Sequence, residues 1–316
     1  MIASAYQDLF QLFLYIFIGL FLVSILSYGA KRSVLYQGHQ KLIDEVITRT
    51  NAWWVMTLVF FLALSFGLYS TLLLFLFISV VAFREYTSLS STTAGDRRVL
   101  FWSFIVICPF QYYLIAINWY GLYSIFIPVY AFLFLAARAA LCGETEDFLS
   151  RIAKTHWGLM ASVYFISYVP ALLTLDIPRF HGRDFQLLFY LVFLTELSDI
   201  LQFVFGKAFG KHQVAPTVSP RKTIEGLLGG ILSTCAVGYI FYFITPFTPI
   251  QSAVAALVIT FSGFLGGLTM AAIKRDHGVK DYSAMISGHG GMMDRIDSLC
   301  FSAPIFFHLL RYFFTV

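Results

Sequence analysis

The sequence predicts an all-α integral membrane protein of about ten transmembrane helices, with its polar chemistry gathered at the cytoplasmic face. Three observations predict this: an apolar composition, a series of unbroken apolar runs, and basic residues confined to alternate connections. Hydrophobic residues make up 59% of the 316 and charged residues only 12%, against roughly 25% charged in a soluble domain. A net charge of +4 does not point to a nucleic-acid partner. The four cysteines, Cys108, Cys142, Cys235 and Cys300, form no CxxC pair and read as small buried hydrophobes.

Apolar runs fall near residues 9–28, 52–67, 69–84, 99–118, 122–141, 157–176, 184–206, 226–245, 250–273 and 299–316. Each is close to the roughly 20 residues that a helix needs to cross the hydrocarbon. The stretch from Ala52 to Phe83 is too long for one span and divides around Gly67. Barrel strands alternate apolar and polar residues, which these runs do not. Backbone groups in hydrocarbon must pair within their own segment, so such runs are helical. The first run has no basic residues before it and no clear small-residue cleavage site, so it reads as a retained span.

Of the 21 basic residues, 18 fall in the connections after the first, third, fifth, seventh and ninth spans. Only Arg179, Arg183 and Arg311 fall on the other side. The positive-inside rule makes the crowded side cytoplasmic and puts both termini outside. No internal repeat or long linker divides the chain, which reads as one polytopic domain over 1–316.

Two connections carry more than bland polar residues. In the second of them, Lys274–Asp297, Asp294 and Asp297 are three apart and share one face of any helix leading into the last span. Asp281 lies 13 residues before Asp294, across a glycine-rich turn. Lys274, Arg275, Lys280 and Arg295 are interleaved with these acids. Acids that hold a divalent cation, mixed with bases that hold phosphate oxygens, suit a metal–polyphosphate complex. Gly288, Gly290 and Gly291 let backbone amides approach a ligand. His289 sits between two of these glycines and suits phosphate. With His212 and His277 it fits no standard zinc spacing.

The earlier connection ends in Ser219-Pro220-Arg221-Lys222. Ser219 reads as an N-cap with Pro220 at the first helical position. Arg221 and Lys222 would then stand in the first turn of span eight, where cations oppose the helix dipole unless an anion lies between them. Within span seven, Glu196 and Asp199 share a face, with Gln202 a turn on, and charges inside a span usually mark function. Asp199 lies roughly 10 Å below the inner surface, at 1.5 Å per residue.

The second connection resembles the signature of the phosphatidate cytidylyltransferases, or CDP-diacylglycerol synthases. The resemblance rests on Lys274-Arg275, Lys280-Asp281, Gly288-His289-Gly290-Gly291, and Asp294-Arg295 with Asp297, all in order and spacing. Ser219-Pro220-Arg221-Lys222-Thr223 with Glu225-Gly226, the Phe209–His212 run and Asp199 are also similar. It covers about residues 195–300, and the spans before 180 match only as hydrophobic helices. Ser287 stands where the family usually has Pro, and Glu196 is outside the pattern.

The resemblance implies transfer of a cytidylyl group from CTP to phosphatidic acid, at the cytoplasmic face of a membrane of the bacterial inner-membrane type. It implies Mg²⁺ held among Asp294, Asp281, Asp297 and Asp199, with a second cation such as K⁺ left open. It further implies catalytic roles for Asp294, Asp281, Asp199, Lys274 and Arg275. Substrate phosphate falls to Ser219, Arg221, Lys222, Lys280, His289, Gly290, Gly291 and Arg295. Membrane lipid is the expected surrounding and a homodimer the open assembly. Two alternatives stand beside this reading: a transporter of an anionic substrate, and a family member altered in its catalysis.

Overall fold

A computed structural model describes residues 2–33, 35–89, 93–178 and 180–315; Arg179 lies outside them. Among the described residues nine helices are long and apolar enough to cross a membrane. They are Leu9–Lys31, Gly38–Ser65, Leu68–Ser88, Gly95–Ala116, Tyr120–Ala140, Phe148–Thr174, Asp184–Phe209, Ile224–Ile244 and Pro249–Asp276, called spans one to nine below. A tenth helix, Leu299–Phe314, follows a short helical turn, Met293–Ile296. At 16 residues it is about 24 Å long, shorter than a full crossing. The chain is therefore an integral membrane protein, in which the described residues form nine spanning helices and a shorter tenth, against the ten spans that the apolar runs predict.

The break between spans two and three falls at Gly67, whose φ of +90° favours a residue without Cβ. Elsewhere the helices run beyond the apolar stretches. Span two continues a helix that starts at Leu35, so Lys41 and Arg49 stand on helix rather than in a loop. Span six starts at Phe148, nine residues before the apolar run, because Arg151 in its first turns pairs with Asp96 and Glu144. Charged residues hold helical geometry at the interface, where water satisfies their heads and the backbone is already paired.

The start of span eight differs from the N-cap expected at Ser219. Residues Gln213–Ala215 (β1) and Ser219–Thr223 (β2) form a small antiparallel hairpin. Thr223 is the N-cap: its hydroxyl accepts from the Gly226 amide at 3.1 Å. Glu225 then accepts from the Lys211 and His212 amides and faces the His212 ring at 2.6 Å. The hairpin thus competes successfully for the residues that a Ser-Pro start would have made helical. Arg221 and Lys222 lie on a strand, outside the first helical turn, so the helix dipole does not oppose them there.

Spans seven, eight and nine and the C-terminal helix pack in sequence, and span six closes on the C-terminal helix. Between helices in lipid the apolar effect gives little drive, so interhelical hydrogen bonds and close packing matter, each bond contributing on the order of 0.6 kcal/mol. The Tyr190 hydroxyl donates to the Ser252 carbonyl at 2.7 Å, and the Ser252 hydroxyl donates to the Gly238 carbonyl at 2.7 Å. Further along, the Gln111 amide donates to the Tyr123 carbonyl and the Ser167 hydroxyl. The first two ties join spans seven, eight and nine, and the Gln111 ties join spans four, five and six.

The two candidate starts of span eight differ in a measurable way. Thr223→Ala should lower thermal stability in detergent by about 1 kcal/mol, the usual worth of an N-cap. Ser219→Ala should leave it unchanged. Equal losses from both variants would contradict a start at Thr223.

Candidate active site

Span nine ends at Asp276, so Lys274 and Arg275 stand in its last turn, where cations complement the negative pole of the helix. Lys274 turns inward. Its ammonium donates to Asp294 Oδ1 at 2.7 Å and lies 3.7 Å from Asp297 Oδ2, with the lysine side chain 11% exposed. The three-residue spacing of the two acids on the turn Met293–Ile296 is what lets one ammonium face both.

Asp294 is held from its other oxygen as well. Its Oδ2 accepts from the Tyr282 and Gly291 amides, each at 2.9 Å. One buried carboxylate therefore closes the loop 282–291 and neutralises Lys274. Within the loop the Ile286 amide donates to the Gly290 carbonyl, and the His289 amide donates to the Ile286 carbonyl. The His289 ring meets Trp53 of span two edge-on at 6.2 Å. Burial, then the charge of Arg295 and more weakly that of Arg49, holds this imidazole below its usual pKa.

Lys222 enters from β2. Its ammonium lies 4.8 Å from the centroid of the Phe264 ring. A Cβ at Gly267 would come within 2.8 Å of this ammonium, so a larger residue there would make the tip of the lysine shift. Lys222 and Arg295 both act electrostatically on Asp199 of span seven and on Asp297. Asp199 and Asp297 thus share this pair of cations. Glu196, a turn deeper, feels Asp199, Arg295 and Asp297. Burial pushes the Asp297 carboxyl up, and Lys274, Lys222 and Arg295 oppose that push.

The other expected site residues lie further out. Asp281 and Lys280 are exposed on the loop, and at this point of the chain it is the Tyr282 amide that reaches Asp294. Arg275 is exposed and fastens the loop to the hairpin, donating to the Val218 and Val279 carbonyls. Arg221 is exposed and Ser219 half-buried on β2. The Gly291 amide is committed to Asp294, while Gly290, at φ +82°, supplies the turn.

Glu85, at the inner end of span three, is not singled out by the sequence. Its carboxylate is buried and accepts from the Ser283 hydroxyl at 2.6 Å and the Met293 amide at 2.8 Å. Beside Arg84 it reads as one more interfacial charge. The available signal was that it is an acid on the basic side of the bundle.

Among the described residues no three His, Cys, Asp or Glu side chains converge as a cation cage. Mg²⁺, however, needs only one or two carboxylates and completes its shell with water and phosphate oxygens. Asp199 and Asp297, two half-buried acids that share the cations Lys222 and Arg295, fit that demand, whereas both oxygens of Asp294 are engaged. The Arg295 Nε is buried with no protein partner. A buried guanidinium nitrogen left open suits an oxyanion.

The helical membrane bundle gathers acids, cations and a glycine-rich loop at its basic end, an arrangement that can receive an anionic ligand. The profile of the cytidylyltransferase family matches residues 47–313, and the chain belongs to that family. An uncharacterized protein of Escherichia coli strain K12, YnbB, is 38% identical over 294 residues, 93% of this chain and 96% of that protein. A phosphatidate cytidylyltransferase of Bacillus subtilis is 30% identical over 221 residues, 68% of this chain and 77% of that protein. One of Aquifex aeolicus is 33% identical over 147 residues, 46% of this chain and 55% of that protein. Family membership removes the ground for the transporter alternative.

Asp294→Asn should open the loop. The amide nitrogen that replaces one oxygen cannot accept, so either Lys274 or the two backbone amides lose their partner. Hydrogen bonds to charged groups contribute about 1.5–3 kcal/mol, so exchange at the Tyr282 and Gly291 amides should accelerate roughly 10- to 100-fold. Asp294→Ala removes both acceptors, and unchanged exchange at both amides in that variant would contradict the clamp by Asp294.

Proposed function

We propose that the protein transfers the cytidylyl group of CTP to the phosphate of phosphatidic acid, yielding CDP-diacylglycerol and pyrophosphate. The observation that carries this is Lys274 set between Asp294 and Asp297, beside Lys222, Arg295 and the open Arg295 Nε. Phosphatidate cytidylyltransferases among the relatives support the choice of substrates.

A phosphate oxygen of the lipid attacks the α-phosphorus of CTP, a new P–O bond forms, and the bond to the β-phosphate breaks to release pyrophosphate. Such a transfer asks little covalent work of the protein and depends on positioning and charge neutralisation. Lys222 and Arg295 neutralise the triphosphate and lipid phosphate, and Lys274 holds the acids in register. Asp199 and Asp297 are the residues that would hold Mg²⁺, which would supply further neutralisation of the phosphates. Asp294 serves by fixing the loop and Lys274. The positive-inside rule supports a site facing the cytoplasm, where CTP is available and the headgroups of the inner leaflet lie. The test is transfer from labelled CTP: label at the α-phosphate should appear in lipid, and label at the γ-phosphate in pyrophosphate. No lipid label would overturn the reading.

Lys222→Gln should lower kcat/KM for CTP roughly 10- to 100-fold, since one charge-assisted phosphate contact contributes about 1.5–3 kcal/mol and each decade is about 1.4 kcal/mol. Normal kinetics per folded molecule, with reduced membrane content, would assign Lys222 to insertion instead.

The pH profile gives a second check. Asp297 must be ionised to hold a cation, and burial raises its pKa. The acid limb of kcat/KM should therefore lie above the ordinary Asp value of about 3.9. Lys222 lowers that pKa, so Lys222→Gln should move the limb to higher pH. A shift to lower pH would contradict the assignment.

Orientation is tested with Gln213→Cys. Position 213 is exposed on β1, and an impermeant maleimide added from outside should not label it above the unsubstituted protein. External labelling would reverse the topology.

A further inference from the structure

The loop 282–293 carries hydrogen-bond donors that are shared between two carboxylates. Asp294, from the loop's own end, takes the Tyr282 and Gly291 amides. Glu85, about 200 residues away in sequence, takes the neighbours of those donors, the Ser283 hydroxyl at 2.6 Å and the Met293 amide at 2.8 Å. Donors 282 and 283 sit at one end of the loop, and 291 and 293 at the other. Each carboxylate thus ties both ends together, and the two ties lie side by side.

Three features make Glu85 more than a satisfied interfacial charge. Its carboxylate is buried, and both partners belong to the loop rather than to a basic side chain. It fixes the amide of residue 293, directly before the carboxylate that holds Lys274. The loop is also shaped to receive it: a Cβ at Gly291 would stand 2.5 Å from Glu85 Oε2. Any side chain at 291 would push the clamp apart. The loop tip meets the N-terminal half too, with Gly288 against Thr48 and Arg49, and His289 against Trp53.

We infer that Glu85 is a positioning residue for the transfer reaction: it clamps the glycine-rich loop so that Asp294, Lys274 and Asp297 are in register when CTP arrives. This makes span three part of the site, although the polar signature lies wholly in the C-terminal third. The inference rests on the proposed transfer reaction, and it carries a structural readout of its own.

The chemistry of the substitutions is discriminating. A carboxylate accepts at both oxygens. Glu85→Gln can keep both ties, its amide donating to the Ser283 hydroxyl and its carbonyl accepting from the Met293 N–H. Glu85→Asp keeps the charge but is one methylene shorter, so it cannot reach both donors at once. Glu85→Ala removes both ties and leaves the Met293 amide buried without a partner. Ser283→Ala removes one tie and leaves the other.

The experiment uses the full chain purified in lipid nanodiscs, with kcat and KM measured for CTP. Glu85→Ala should lower kcat by 30-fold or more, with KM changing less than threefold and unfolding still above the assay temperature. Ser283→Ala should lower kcat three- to tenfold, and should add less than twofold in the Glu85→Ala background because both act through one clamp. Retention of more than a third of wild-type kcat by Glu85→Ala, or independent multiplication of the two effects, would overturn the inference. If Glu85→Ala does not accumulate, Glu85→Asp decides. Its kcat should fall at least fivefold, and exchange at the Met293 amide should rise at least tenfold. Wild-type exchange there would overturn the clamp. A wild-type protein inactive with CTP and phosphatidic acid would refute the transfer reading alone, since the exchange measurement needs no substrate.

Discussion

Lys274 is an ammonium placed at the inner end of a membrane span, largely out of water, and it is tolerable there only because two carboxylates face it. Removing one partner of such a buried group costs about 3–5 kcal/mol. This requirement fixes much of the surrounding architecture. Asp294 must sit on a helical turn that brings Asp297 with it. The loop before that turn must fold back so that its amides fill the remaining oxygen of Asp294. Gly267 on span nine leaves the tip of Lys222 its place beside Phe264 as it joins from β2. The result is a compact set of fixed charges that needs little rearrangement when a polyanion arrives, the condition under which electrostatic stabilisation of a transition state is strongest.

The set is not self-sufficient. Asp199 and Asp297 share the cations Lys222 and Arg295, and the Arg295 Nε is buried without a protein partner. Native proteins rarely leave such groups open without a reason. A cation between the acids and phosphate oxygens on the guanidinium would complete both together. Glu196, a turn deeper than Asp199 and outside the family signature, adds one more acid facing Arg295 and Asp297. Its place lies toward the lipid interior rather than the aqueous nucleotide.

Much of this was legible in the sequence. Unbroken apolar runs and one-sided basic residues specify the helices because hydrocarbon leaves the backbone no other partner. The spacing of Asp294 and Asp297 specifies a shared face because a helical turn has a fixed period. Less legible were features decided by competition or by distant contacts. Ser219-Pro220 has the composition of a helix start, yet hairpin pairing with Gln213–Ala215 and the Thr223 cap win locally. Asp281 looks equivalent to Asp294 by residue type and setting. It is exposed, because the loop turns its neighbour's amide inward instead. Glu85 could not be joined to the loop from spacing at all, since its partners are Ser283 and Met293 from the far end of the chain.

The central claim is that this charge cluster is a site for a metal-bound nucleotide and not a structural ion-pair network. Thermal unfolding of the purified protein with and without CTP and Mg²⁺ tests it directly. A ligand at about 100 times its Kd stabilises the folded state by about 2.7 kcal/mol. The account predicts a gain of that order for the wild-type protein with CTP and Mg²⁺ together, and its loss in Arg295→Gln. Unfolding that is indifferent to the nucleotide in the wild-type protein, or a gain that survives in Arg295→Gln undiminished, would contradict it.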